Sequence, residues 1–184
     1  MVKVLKLKRE TKTVPVKENA LKKESDVLDP RAESLRILSQ FYIGETDLNM
    51  KSRQISIAHG KEVSDPIAAL ELLKDRVIIT EDVDLKLKMY QAIADLLSSL
   101  GMEEDLHMVQ GIVARVNLKS FKELGFEWVE VECAEDACPA CKKMAGKRMN
   151  IDEAFESMPL PCQECTTEKG AVQGYCRCRY FAVF

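Results

Sequence analysis

Cys138-Pro-Ala-Cys141, then twenty residues, then Cys162-Gln-Glu-Cys165, then Cys176-Arg-Cys178: six of the seven cysteines of this 184-residue chain stand in three close pairs near its end. The first two pairs have the spacing of a four-thiolate zinc site. A tetrahedral ion takes thiolates about 2.3 Å away, each at its own corner. Two cysteines with two residues between them reach one ion when the chain turns tightly, and Pro139 favours such a turn. The twenty intervening residues leave room for a hairpin and a short helix before the second pair returns. Cys138, Cys141, Cys162 and Cys165 are therefore the expected zinc ligands. Cys176 and Cys178 are alternates for one or both of Cys162 and Cys165. Both sulfurs of a C-x-C pair reach one ion only if the backbone departs from a regular strand.

The flanks of this stretch read as strands. Glu127-Trp128-Val129-Glu130-Val131-Glu132-Cys133 alternates with period two, as a half-buried strand does. Val129, Val131 and Cys133 share one face, which puts Cys133 with the core rather than the metal shell. The end, Cys178-Arg-Tyr-Phe-Ala-Val-Phe184, is the second strand, expected to pair antiparallel with the first and carry the cysteine loops. Gly146-Lys147 reads as a turn. Asp152-Glu-Ala-Phe155 starts a short helix, with its acids placed favourably in the first turn.

Upstream the period is helical. Asp29-Pro30 is an N-cap followed by proline at the first helical position. Leu35, Leu38, Phe41 and Tyr42 then share a face until Gly44. A second helix is expected from Asp47 to His59, with Gly60 as its stop. Asp65-Pro66 repeats the start signal before Ile67, Leu70 and Leu73. Val77-Ile78-Ile79 reads as a turn of buried chain. Thr80 or Asp82 opens what should be the longest helix, with Leu85, Met89, Ile93, Leu97 and Leu100 at helical spacing. Two shorter pieces are expected near 103–115 and 118–124, with Asn117 capping the second. The expected architecture is α+β: a mainly helical domain over 29–125, then a small zinc-stabilised β module over 126–184. Residues 1–28 read as a basic, partly disordered tail. Over 1–26 there are eight Lys/Arg against four Asp/Glu, and Val2-Lys3-Val4 and Val14-Pro15-Val16 leave room for a donated strand.

The totals exclude several classes. The net charge of −3 gives no global pull toward nucleic acid or membrane. No apolar run approaches the ~20 residues of a membrane span. No signal peptide is visible, so a cytoplasmic protein is expected, and clustered cysteines there bind metal more often than they form disulfides. There is no P-loop, no dinucleotide glycine fingerprint and no nucleophile elbow. His59 and His107 lie in or at the ends of helices and are not counted as ligands. No catalytic residues are assigned.

The run Val131-Glu-Cys-Ala-Glu-Asp136-Ala-Cys138-Pro-Ala-Cys141-Lys-Lys-Met-Ala-Gly146-Lys resembles the C-terminal module of tailed-phage minor head proteins, the head-morphogenesis proteins similar to the minor head protein of phage Mu. Asp152-Glu153, Pro159-Leu-Pro161 and Cys176-Arg-Cys178 follow in the order seen in that family. The likeness covers about fifty-five residues. Two features depart from it. The family's histidine before the last cysteines has no counterpart unless Cys162 stands in, and Thr166 to Tyr175 is additional. The resemblance implies a structural or assembly role near a phage or prophage head, with virion association.

The first functional expectation is thus a zinc-binding structural or interaction protein, not an enzyme, with a protein partner. A zinc-ribbon nucleic-acid binder is the alternative. Lys142, Lys143, Lys147 and Arg148 cluster, as do Arg177 and Arg179. Yet Cys133 to Phe184 carries seven basic and seven acidic residues, where a phosphate track wants an excess of positive charge. A thiol oxidoreductase is the third reading. It suits a C-x2-C after a strand, but too few residues follow Cys141 to complete a thioredoxin fold.

Overall fold

The computed structural model describes residues 29–165 and 176–184. The expected N-terminal tail and the additional stretch from 166 to 175 lie outside the described residues. Within them the chain is mainly helical, with a small antiparallel sheet toward the C-terminus.

Helix α1 (Pro30–Ser39) starts where the Asp29-Pro30 signal puts it. The Asp29 carboxylate accepts from the Arg31 backbone N–H at 3.1 Å. Its apolar stripe is shifted from the expected one. Ile37, Leu38 and Phe41 are buried, but Tyr42 is 97% exposed, in the left-handed region at φ 59°. The helix has already ended at Ser39, so the helical period no longer applies at residue 42. Gly44 does not close α1; it stands before α2 (Glu45–His59), where the Asp47 side chain accepts from its N–H at 2.9 Å. Gly60 ends α2 at φ 66°, a conformation open to glycine at no steric cost.

Helix α3 (Asp65–Ile79) takes in Val77-Ile78-Ile79 as its last turn. Only Val77 is buried, while Ile78 and Ile79 face solvent, so this segment is not the buried turn its composition suggests. Three successive helical residues point 100° apart, and one face of α3 is all the core can take. Asp82 caps α4 (Val83–Ser99), accepting from Leu85 N–H at 2.9 Å. Met89, Ile93 and Leu97 are buried along α4, as their spacing requires.

The expected pair of helices near 103–115 and 118–124 is one continuous helix, α5 (Glu103–Glu123), and it, not α4, is the longest. Asn117 lies inside it rather than capping a new start. The burial of Ala114 and Leu118, one turn apart on the same face, outweighs the weak capping preference of asparagine. Helix α5 joins two cores. Its Leu106 and Val109 complete the cluster of α1 to α4, and its Ala114 and Leu118 open a second cluster with the sheet.

Strand β1 (Trp128–Glu132) is central, in the order β2-β1-β3, with β2 (Arg148–Asn150) and β3 (Arg179–Val183) both antiparallel to it. The short β2 was not foreseen; Arg148-Met149-Asn150 is too brief to show a period. Val129, Val131, Met149 and Tyr180 point inward against α5 and α7 (Ile151–Ser157). The outer face carries Trp128, Phe181 and the ion pairs Arg179–Glu132 (2.6 Å) and Arg148–Glu130 (3.6 Å). A four-residue helix, α6 (Pro139–Lys142), lies between β1 and β2.

A candidate metal centre

The site begins at the end of β1. The chain leaves the sheet at Cys133 and turns through Ala134–Ala137, where the Ala137 N–H bonds to the Ala134 carbonyl at 2.9 Å. It then enters α6 with Cys138 as N-cap and Pro139 at the first position. The Cys138 sulfur accepts from the Cys141 backbone N–H at 3.5 Å. This is the knuckle the C-x2-C spacing implies. Pro139 sets φ, and a backbone N–H faces the sulfur where negative charge would sit.

Two other segments bring sulfur to this knuckle. Cys165 comes from the turn after Pro161, with its sulfur 3.8 Å from that of Cys138. Cys176 comes from the approach to β3, with its sulfur 3.5 Å from that of Cys141. Gln110 of α5 holds the Cys176 carbonyl at 2.7 Å and so ties the helix to this strand entry. Four sulfurs placed tetrahedrally at about 2.3 Å from an ion would stand about 3.8 Å apart, close to both separations. Cys138, Cys141 and Cys165 form one compact triplet, and Cys141, Cys176 and Cys178 another, with Cys141 common to both. Cys138 and Cys141 are buried, and the other sulfurs half-buried.

Among the expected ligands, Cys138, Cys141 and Cys165 come together. Cys162 is half-buried and falls in neither triplet, while the alternates Cys176 and Cys178 lie in the second. Cys133 keeps to the core side of the sheet, packed against the second core, with its sulfur 3.0 Å from that of Cys178 and 3.1 Å from the Cys141 carbonyl. His59 and His107 are exposed on α2 and α5.

The thiols of the cluster are shifted in opposite directions. Hydrogen bonding from the Cys178 thiol, with smaller help from Cys141 and Cys165, holds Cys176 down to about 5 against the opposing effect of burial. The thiols that donate shift the other way. Burial first, then hydrogen bonding with Cys176 and Cys138, pushes Cys141 well up. The bond to Cys176, then burial, pushes Cys178 up. Burial raises Cys133. A divalent ion would override these shifts, since coordination deprotonates a thiol outright.

The second side of the site is a cleft of ≈ 780 Å³ between α4, α5 and the sheet, whose lining includes Gln110, Cys133, Cys176, Cys178 and Tyr180. Burial pushes the Tyr180 hydroxyl there up to about 12, the Leu160 backbone opposing. Arg177, beside the sulfurs, pairs with Asp136. The role of Gln110 was not read from the sequence, where it is one polar residue on a helix. Nor was the Cys133–Cys178 approach, although the expected pairing of their two strands contained it. Among the described residues, no helix is long and apolar enough to cross a membrane.

Comparison with protein-family models, with curated proteins and with solved structures finds no match to this chain.

Proposed function

We propose that this chain is a zinc-clamped structural protein, in which Cys138, Cys141, Cys165 and Cys176 hold one ion. The observation that carries the reading is the pair of sulfur separations, 3.8 Å and 3.5 Å, that meet at the Cys138-Cys141 knuckle. Cys176 is preferred to Cys178 as the fourth ligand because the Cys178 sulfur already stands 3.0 Å from Cys133. An all-thiolate tetrahedral set suits zinc among the common divalent ions.

The ion's task is mechanical. It ties the β1 exit, the turn at Cys165 and the β3 entry, and its binding energy becomes folding energy for the module. The helical body then carries a rigid knuckle for a protein partner. The likeness of the C-terminal module to tailed-phage minor head proteins suggests head assembly as the setting, in the cytoplasm of an infected cell or in the virion.

The test is elemental analysis of the purified chain together with ligand variants. One zinc per chain is expected, retained in Cys162→Ser and lost in Cys165→Ser and Cys176→Ser. Iron in place of zinc, or no metal in protein with intact thiols, would overturn the zinc reading. Loss on Cys162→Ser with retention in Cys176→Ser would restore the quartet that spacing alone suggests.

A further inference from the structure

We propose that Cys133 and Cys178 form a second sulfur site, a reversible cross-strand disulfide beside the metal centre, made by exchange with a small disulfide such as oxidised glutathione. The argument starts from strand register. Glu132 pairs with Arg179, so the next step along both strands sets Cys133 opposite Cys178. Backbone polarity then fixes the kind of pair. Glu127 and Val131 turn their backbone groups toward the β2 side, at 2.9 Å to Ile151 N–H and at 2.9 and 3.0 Å to Gly146 N–H and the Lys147 carbonyl. Odd-numbered residues of β1 therefore face away from β3 in hydrogen bonding. Cys133 and Cys178 continue this pattern as a non-hydrogen-bonded pair. In such pairs the Cα atoms approach to about 4.5 Å and the side chains stand closest. That separation lies within the range a disulfide spans, about 4.4–6.8 Å. The two sulfurs are 3.0 Å apart. Both thiols are free and half-buried, and both line the cleft.

The chemistry balances with one co-reactant. One thiol of the pair loses its proton and attacks a sulfur of oxidised glutathione, breaking that S–S bond and releasing one glutathione thiolate. The second thiol loses its proton and attacks the protein sulfur of the mixed disulfide, releasing the second glutathione. The protein gives up two electrons and two protons, and the oxidant becomes two glutathione molecules. The bond formed encloses the whole stretch from residue 133 to 178, so it also limits the freedom of the unfolded module.

The inference stands on strand register and not on the identity of the ion, and its test separates the two. The zinc-loaded full chain is incubated with oxidised glutathione, free thiols are alkylated, and cross-linked peptides are mapped by mass spectrometry. A single Cys133–Cys178 cross-link is expected, reversed by reduced glutathione, with bound zinc unchanged and the melting temperature raised by several degrees. Cys133→Ser and Cys178→Ser should each abolish the cross-link and keep the zinc, and Cys133→Ala gives a second variant should serine perturb the half-buried position. A chain that keeps its zinc but forms no such cross-link, or joins other cysteines instead, overturns the proposal. So does loss of zinc from Cys178→Ser, which would make that residue a ligand. A cross-link formed in a chain that holds no zinc would support this pair while removing the zinc reading.

Discussion

Between α1 and the first half of α5 the chain buries Leu38, Leu48, Leu70, Leu73, Met89, Ile93 and Leu97 almost completely. Beyond residue 125 the buried set is about half as large. It relies on Leu118 from α5 to cover Val129, Val131 and Met149, and it ends on a group of sulfurs. The first region is held by apolar area, at roughly 25 cal/mol per Å² buried. The second has, among the described residues, a short three-stranded sheet and two short helices. Its buried apolar cluster is the smaller of the two among the described residues, and small cores are marginal. A region of this kind is stable alone only with a staple, and the sulfurs supply the groups for one. Stability is thus expected to be uneven along the chain, and to respond to different reagents in its two parts.

The largest effect should come from chelation or from Cys141→Ser. Structural zinc is worth about 10–16 kcal/mol in small zinc domains. Amide hydrogens of β1, β2 and β3 are expected to lose protection while those of α2 to α4 keep it. Equal loss of protection in both regions would mean that one cooperative unit, not two, is held by the ion.

Next in size are core truncations. Leu97→Ala and Leu118→Ala should each cost about 2–5 kcal/mol, because each removes a fully buried side chain and leaves a cavity. Their consequences should differ. Leu97→Ala is expected to lower the denaturation midpoint without altering affinity for the proposed metal, whereas Leu118→Ala, under the sheet, is expected to weaken that affinity as well. Identical zinc titrations for both variants would show that α5 does not couple the two cores.

Asp82→Ala removes the side-chain cap of α4 and should cost about 1 kcal/mol. The loss should appear in urea unfolding followed by circular dichroism and be absent from the metal titration. The smallest effect concerns Glu33, whose carboxyl is held below its ordinary value by hydrogen bonding to Arg36 at 2.5 and 2.7 Å. A carboxyl with a depressed folded-state pKa contributes above its unfolded pKa and loses that contribution as pH falls through the folded value. Arg36 is exposed and Glu33 half-buried, so solvent screens the pair and Glu33→Gln should remove only about 0.3 kcal/mol. That difference should be present at neutral pH and vanish at acid pH in paired melting curves. A larger loss would mean that the α1 surface contributes more than the two-region picture allows.

Several helix boundaries were legible because their signals are local, although α2 starts two residues before the expected Asp47 and Ser64, not Asp65, is the N-cap of α3. Asp29, Asp82 and Gly60 do in the structure what their residue types favour. The strand at 128–132 was legible from alternation, and the stretch at 179–183, expected as its antiparallel partner, does pair with it. Failures arose where packing decides between local options. Tyr42 continues a helical stripe on paper, yet the helix ends three residues earlier. Asn117 looks like a cap, yet it rides inside a helix whose next residue, Leu118, is fully buried. The three residues of β2 form a strand only because β1 is there to pair with them.

The order of residues by itself determined that the molecule has a helical part and a short sheet, and that its sulfurs gather near the sheet. Those features follow from periodicity and from spacing within one turn of chain. Only the tertiary structure decided which sulfurs meet. Cys138 reaches Cys165 across 27 residues, Cys141 reaches Cys176 across 35, and Cys133 reaches Cys178 across 45. The C-x2-C pattern specifies a turn that can offer two ligands, but it carries no information about what arrives opposite. For Cys178 that is set by the register of β3 on β1, where a shift of one residue would carry it to the other face of the sheet, and for Cys176 by the bond its carbonyl accepts from Gln110.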